Sequence, residues 1–165
     1  MKTIKRLTSR IVLLNARDEV LLFEYEDDNT NVKRFWVTPG GGLEPSETFT
    51  QAAIRELFEE TGLEVAAVGD PIWFRRKLVQ CRDHLEDIEE FHFLVRVETW
   101  DVTGLNPDEL ERHNEKGHQW WSLEALRQSH ETVFPESLAV HLEPVLRGEI
   151  RPEPSDISPR TNPSA

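Results

Sequence analysis

Glu56, Glu59 and Glu60 set three carboxylates close together in the run Arg55-Glu56-Leu57-Phe58-Glu59-Glu60. On a helix, the i, i+3 and i, i+4 relations turn all three to one side. No lysine or arginine sits on that stripe one turn further on. Like charges at this spacing weaken a helix by about 0.2–0.5 kcal/mol per pair. A hard divalent cation converts the liability into a site, because Mg²⁺ takes carboxylate oxygens and keeps waters for chemistry. For three glutamates alone, a solvated acidic face is the plain alternative. Just upstream lies Gly40-Gly41-Gly42. It is either a simple turn or bare backbone that lets a loop pack closely on the carboxylate helix.

The frame around these residues is longer. It runs Gly41, five residues, Glu47, seven residues, Arg55-Glu56-Leu57, one residue, Glu59-Glu60, one residue, Gly62-Leu63. This pattern resembles the signature of the Nudix hydrolases at every fixed position. The resemblance implies an α/β fold, an α/β/α sandwich around a mixed β-sheet. It implies Mg²⁺ or Mn²⁺ held by Glu56, Glu59 and Glu60, with Glu47 a further acid near the metal cluster. Arg55 matches an arginine that pairs with these carboxylates and orients them.

Diphosphate hydrolysis, the chemistry so implied, needs charge neutralised on the phosphates, a water activated in line, and the phosphates held still. The general base comes in the resembled family from the motif helix or from a glutamate in a distant loop. Glu59 is the helix candidate. Glu115, in Glu115-Lys116-Gly117-His118-Gln119-Trp120-Trp121, is the loop candidate, with Glu111, Glu89 and Glu90 as rivals. Catalytic candidates are therefore Glu47, Arg55, Glu59 and Glu115. For substrate contact the candidates are Gly41, Arg34 and Arg75, with Arg10 similar.

Arg75-Arg76-Lys77 is the densest basic cluster of an acidic chain. On a strand Arg75 and Lys77 share a face and Arg76 takes the other. Edge-strand solubility is the competing explanation. Phe35, Trp36, Trp73 and Phe74 offer rings for stacking on a base or for the core.

The elements that must position these groups follow from the hydrophobic pattern. Ile11 to Leu14 and Val20 to Phe23 are short apolar runs joined by a polar turn of hairpin length. Phe35 to Val37 resumes as a strand that the glycines end. The carboxylate helix starts at Ser46 as a simple N-cap or at Thr48 with Gln51 as a capping box. Phe49, Ala53 and Leu57, with Ile54 and Phe58 one row over, form its apolar stripe. Gly62 suits the left-handed residue after its end.

Ile72 to Val79 and Phe91 to Val97 read as strands, with Gln80 to Glu90 a polar linker. Trp120-Trp121 is the last strand, Ser122 caps a helix over Leu123 to Gln128, and a further helix spans Glu136 to Leu146. Residues 1–148 form a single domain on this reading. Residues 149–165, punctuated by Pro152, Pro154, Pro159 and Pro163, form a flexible tail.

Composition bounds the partners. Nineteen Lys and Arg against 31 Asp and Glu leave a formal charge of −12. That field repels duplex DNA and long RNA, yet a small nucleotide still binds where metal ions offset its phosphates. Cys81 is the only cysteine, so no disulfide forms within the chain, and a reducing, cytoplasmic setting is expected. A small semi-buried hydrophobe is its plainest role. The six histidines lack HxxxH-type spacing and read as surface or core-edge residues rather than zinc ligands. The apolar run after the basic N-terminus is too short for a secretory leader, and no run spans a membrane.

The proline, tyrosine and coenzyme A marks of three specialised Nudix subfamilies are missing from their places. The leading reading is a metal-dependent hydrolase of a nucleoside diphosphate linked to another group, (d)NTPs included. The alternatives are an RNA 5′-pyrophosphohydrolase and a nucleotide-sensing domain without catalysis. A homodimer is compatible with the resemblance.

Overall fold

The computed structural model describes residues 1–103 and 115–160. The chain order is β1 (Lys2–Leu14), β2 (Val20–Glu26), β3 (Arg34–Val37), β4 (Gly40–Gly42), α1 (Phe49–Thr61), β5 (Trp73–Gln80) and β6 (His84–Arg96). Then come β7 (Glu115–Trp121), α2 (Leu123–Gln128), β8 (Val133–Phe134), α3 (Leu138–Leu146) and β9 (Ser155–Asp156).

Ile11, Val12, Leu13 and Leu14 are all fully buried, so β1 must be covered on both faces. Period 2 sorts them. Ile11 and Leu13 join Ala53 and Leu57 of α1, with Leu21, Phe23 and Phe93. Val12 and Leu14 join Leu138, Leu142 and Val145 of α3, with Leu22, Trp36 and Trp121. The result is the expected sandwich, with α1 on one face of a mixed sheet and α2 and α3 on the other. Strand β1 pairs in parallel with β6 along its whole length, from Lys2↔His84 to Leu14↔Arg96. It pairs antiparallel with β4 at Thr8 to Arg10. Strand β2 lies between β3 and β7 and meets β1 only at Leu14↔Val20.

Helix α1 starts at Thr48, whose Oγ1 accepts from Gln51 N at 3.1 Å while Gln51 Oε1 accepts from Thr48 N at 2.9 Å. The capping box is thus the start, and Ser46 lies in the turn before it. Gly62 ends the helix at φ 75°, its N–H donating to Phe58 C=O at 2.8 Å. Phe58 departs from the expected stripe. It is 41% exposed, because Ala52, Ala53, Glu56 and Leu57 take the buried side.

Three further expectations are corrected. Gln80 to Glu90 is not a linker: only residues 81–83 turn, and β6 begins at His84. Its polar half pairs with the polar half of β1, and opposite charges meet there, Lys5 with Glu89 at 3.2 Å and Arg6 with Glu86 at 2.9 Å. The segment after Gly148 is not outside the fold up to residue 160. Strand β9 pairs in parallel with β5, Ile157 N–H donates to Phe74 C=O at 2.8 Å, and Ile157 is 3% exposed. The glycines, read as a turn or as a bare loop packed on the carboxylate helix, form a strand, β4, against β1. Among the described residues no helix is long and apolar enough to cross a membrane.

Candidate active site

Arg55 organises the carboxylate side of α1. Its Nε and Nη2 donate to the two oxygens of Glu47 at 2.8 and 2.9 Å, a two-pronged pairing. Nη1 donates to Glu56 at 2.9 Å and to Glu59 at 3.1 Å, and Nη2 also reaches Gly42 C=O at 3.0 Å. The hydrogen bond from Arg55 holds the Glu47 carboxyl below its ordinary value, and the Glu47 bond raises the guanidinium further above its own. Glu60 turns the other way. It accepts from Gly40 N–H at 2.7 Å and from the Tyr25 hydroxyl at 3.4 Å.

The glycines make room for this. A Cβ on Gly41 would stand 2.5 Å from Glu56 Oε1, and one on Gly40 would stand 2.0 Å from Ser9 C=O. Gly40 also has φ 138°, which side-chain-bearing residues rarely adopt. Close approach, rather than a generic turn, is what these positions require.

On the other face of the sheet a cavity of about 380 Å³ reaches the same glycines, with Gly41 and Gly42 in its wall. Thr8 and Arg10 of β1 point into it, whereas Ser9 between them donates to Phe49 C=O of α1 at 2.6 Å. Arg10 donates to Gly40 C=O at 2.9 Å, to Thr38 C=O at 3.2 Å and to Glu90 at 3.2 Å. The Gly40 residue therefore stands between the two faces, its N–H on Glu60 and its C=O on Arg10.

Beneath the cavity Glu90, 5% exposed, accepts from Arg75 at 2.6 Å and from the Thr8 hydroxyl at 3.0 Å. Arg75 continues to Glu136 at 2.8 Å, and Glu136 to Lys77 at 2.7 Å. Burial alone would raise the Glu90 carboxyl. The His92 contact and the Arg10 and Arg75 charges outweigh it and hold the group well below the usual range. Phe35, Val37, Phe134 and Pro135 supply apolar wall, and Lys77 Nζ lies 3.7 Å from the Phe134 ring centroid. The Thr38 hydroxyl, also in the wall, is buried and finds no hydrogen-bond partner among the described residues.

A model of the NUDIX domain family matches residues 4–141. The chain belongs to the Nudix hydrolase family. A "Putative 8-oxo-dGTP diphosphatase" of Bacillus subtilis (strain 168) is 32% identical over 75 residues, 46% of this chain and 47% of the relative. An "RNA pyrophosphohydrolase" of Actinobacillus succinogenes is 38% identical over 72 residues, 41% of this chain and 34% of the relative. These matches span half or less of the relatives' length. The MutT protein of Methanosarcina mazei Go1 has the same fold, with a TM-score of 0.67 and 20% identity over 92% of this chain and 99% of that one.

The Nudix-motif residues Gly41, Glu47, Arg55, Glu56 and Glu59 come together through Arg55 and the glycine strand, and Glu60 joins them through Gly40. Their donor set, carboxylate oxygens alone, is of the kind that Mg²⁺ and Mn²⁺ take. The glycine strand leaves the carboxylates room that a Cβ would fill.

Glu115 opens β7 opposite Tyr25. The pairing follows a shift in register between Glu24 and Tyr25 and sets Glu115 beside the tyrosine whose hydroxyl meets Glu60. Arg75 reaches the cavity but is 4% exposed and bound to Glu90 and Glu136. Edge-strand solubility therefore does not account for it. Arg34 is not brought to the site: it is half exposed on β3 and paired with Glu24. Of the rival bases, Glu90 is buried in ion pairs, Glu89 pairs with Lys5 on the other face of β6, and Glu111 lies outside the described residues. Trp36 and Trp73 are core, while Phe35 lines the cavity. Tyr25 and Thr38 were not singled out as site residues from sequence. The alternation Leu21, Phe23, Tyr25 on β2 was the available signal for the first, and nothing in the sequence marked the second.

Proposed function

We propose that this Nudix hydrolase cleaves the diphosphate bond of a small nucleotide, a nucleoside diphosphate joined to a further group, (d)NTPs included. The supporting observation is the shared glycine strand. Gly41 and Gly42 wall a cavity large enough for a nucleoside, and the same strand carries the carboxylate cluster on its other side. A substrate seated in the cavity would lead its phosphates past Gly40 to Glu56, Glu59 and Glu60.

Those three glutamates would hold Mg²⁺ or Mn²⁺, which supplies positive charge to the phosphate oxygens and acidifies water. Arg55 holds Glu47, Glu56 and Glu59 in place. Arg10 presents the nearest cavity-side cation. Phe35 and Phe134, edge to face with centroids 5.4 Å apart, offer an apolar seat for a base. The Thr38 hydroxyl offers a buried polar contact. A water attacks one phosphorus, the bridging P–O bond breaks, and the water's proton passes to a carboxylate. Glu115 is the acceptor this reading favours, from its pairing with Tyr25, and Glu59 is the rival.

The test is hydrolysis of a panel of (d)NTPs, oxidised dGTP, ADP-ribose, NADH, dinucleoside polyphosphates and nucleotide sugars with Mg²⁺ and with Mn²⁺. A 5′-triphosphate RNA joins the panel because one relative is named for that activity, although the charge of −12 disfavours a long polyanion. The expected result is turnover of a small nucleotide that Glu60→Gln abolishes. Silence across the panel from folded, Mn²⁺-bound protein would favour a nucleotide sensor instead.

A further inference from the structure

The turn between β5 and β6 carries a second set of metal-type donors, away from the motif glutamates. Cys81 follows β5, and His84 and Glu86 open β6 on the face that Ile88 and Glu90 continue along the cavity. Cys81 N–H donates to His84 C=O at 2.9 Å, which fixes the turn. One ligand atom from each of Cys81, His84 and Glu86 lies within 4.8 Å of the other two. Among the described residues no other three histidine, cysteine or acidic groups converge so closely.

Two details make this more than proximity. His84 Nε2 stands 3.6 Å from Glu86 Oε1. Donors about 2.1 Å from a tetrahedral ion are about 3.4 Å apart, so this edge is already near its final length. His84 Nδ1 lies 2.6 Å from Asp83 Oδ1. With its proton on Nδ1 toward Asp83, the ring would turn Nε2 to a metal, the carboxylate–histidine arrangement that orients metal-bound imidazoles.

We propose that Cys81, His84 and Glu86 bind Zn²⁺, separately from the motif glutamates, with water as the fourth ligand. Thiolate and imidazole donors select Zn²⁺ over Mg²⁺. Arg6 shares Glu86 Oε1 at 2.9 Å and is half exposed, so solvent replaces that pairing at small cost. The ion would also brace the cavity rim. Thr30 bridges Cys81, Arg82 N–H donates to Asn29 C=O at 3.1 Å, and Thr30 and Asn31 line the cavity with Glu86.

The test uses the full chain, stripped with a chelator and titrated with Co²⁺ alone. Cys81 is the only cysteine, so a thiolate-to-cobalt charge-transfer band reports this site and no other within the chain. One equivalent of Co²⁺ should develop the band, and Zn²⁺ should abolish it. Glu60→Gln should leave it intact, and Cys81→Ser and His84→Ala should remove it with circular dichroism unchanged. Asp83→Asn should weaken Co²⁺ binding about 10–100-fold. Absence of the band from the wild-type protein would overturn the proposal whatever the variants do. So would Zn²⁺ binding of equal strength in wild type, Cys81→Ser and His84→Ala. Neither outcome depends on nucleotide hydrolysis.

Discussion

Two charged assemblies lie on either side of Gly40, and they are balanced differently. On the α1 side, among the described residues, Glu47, Glu56 and Glu59 gather on Arg55, and Glu60 stands nearby on Gly40, so carboxylates outnumber the guanidinium. Below the cavity Glu90 and Glu136 meet Arg10, Arg75 and Lys77, two against three, for +1. The first assembly is partly exposed and, among the described residues, rich in carboxylates, a state that a divalent cation relieves. The second is largely buried and nearly neutral, which is how buried charges persist. The difference teaches what each is for. Carboxylates gathered at a partly exposed surface suit the divalent cation proposed above, and charge cancelled inside a fold holds the fold.

The comparison breaks most visibly at Arg75. Arg75→Ala leaves Glu90 buried with one guanidinium fewer, and urea denaturation should show a loss of about 3–5 kcal/mol. The same region sets the acid response. Burial keeps the His92 imidazole below its ordinary value of 6.5, and Glu90 is held well below the carboxylate range. On acidification the unfolded chain takes up protons that the native protein refuses, so the stability from both groups is full above about pH 6.5. It is lost as pH falls, first through His92 and then through Glu90. The urea midpoint should therefore decline as pH falls below about 6.5 and decline further below about pH 4.5. A flat profile would mean that this network does not couple to folding.

On the carboxylate side the effect should be on turnover. In Gly41→Ala the new Cβ lands 2.5 Å from Glu56 Oε1. The displaced carboxylate should lower kcat about 10²-fold, close to 2.7 kcal/mol of barrier, with a smaller change in melting temperature. The smallest effect belongs to neither assembly. Thr48→Ala removes the cap of α1 and should cost about 1 kcal/mol of stability, leaving KM for the nucleotide unchanged.

The carboxylate site was largely legible in the sequence because its parts are local. Glu56, Glu59, Glu60, Arg55 and Gly62 belong to one helix and its cap, and i, i+4 geometry places them without knowledge of the fold. The sandwich was legible from the family resemblance, and the four-residue run Ile11 to Leu14 agrees with it, since such a run must be covered on both sides. What escaped was built across strands. The Glu90–Arg75–Glu136 network joins β6, β5 and the segment before α3, and no spacing rule links positions 75, 90 and 136. The polar halves of β1 and β6 hid as strands because their stability comes from facing charges, not from an apolar face. Strand β9 hid behind its prolines, although Ile157 carries an ordinary core side chain. The Cys81, His84 and Glu86 set is invisible to a search for HxxxH spacing, because a hairpin turn, rather than a helix, assembles it.

The most direct test of the central claim is Mn²⁺ binding by electron paramagnetic resonance. It would be measured in Cys81→Ser protein, to exclude the hairpin donors, and again with Glu60→Gln added. The account predicts bound Mn²⁺ in the first protein, its loss in the second, and loss of nucleotide hydrolysis alongside it, with the fold intact by circular dichroism. Mn²⁺ binding and hydrolysis that both survive Glu60→Gln would contradict the assignment of the α1 carboxylates as the metal site.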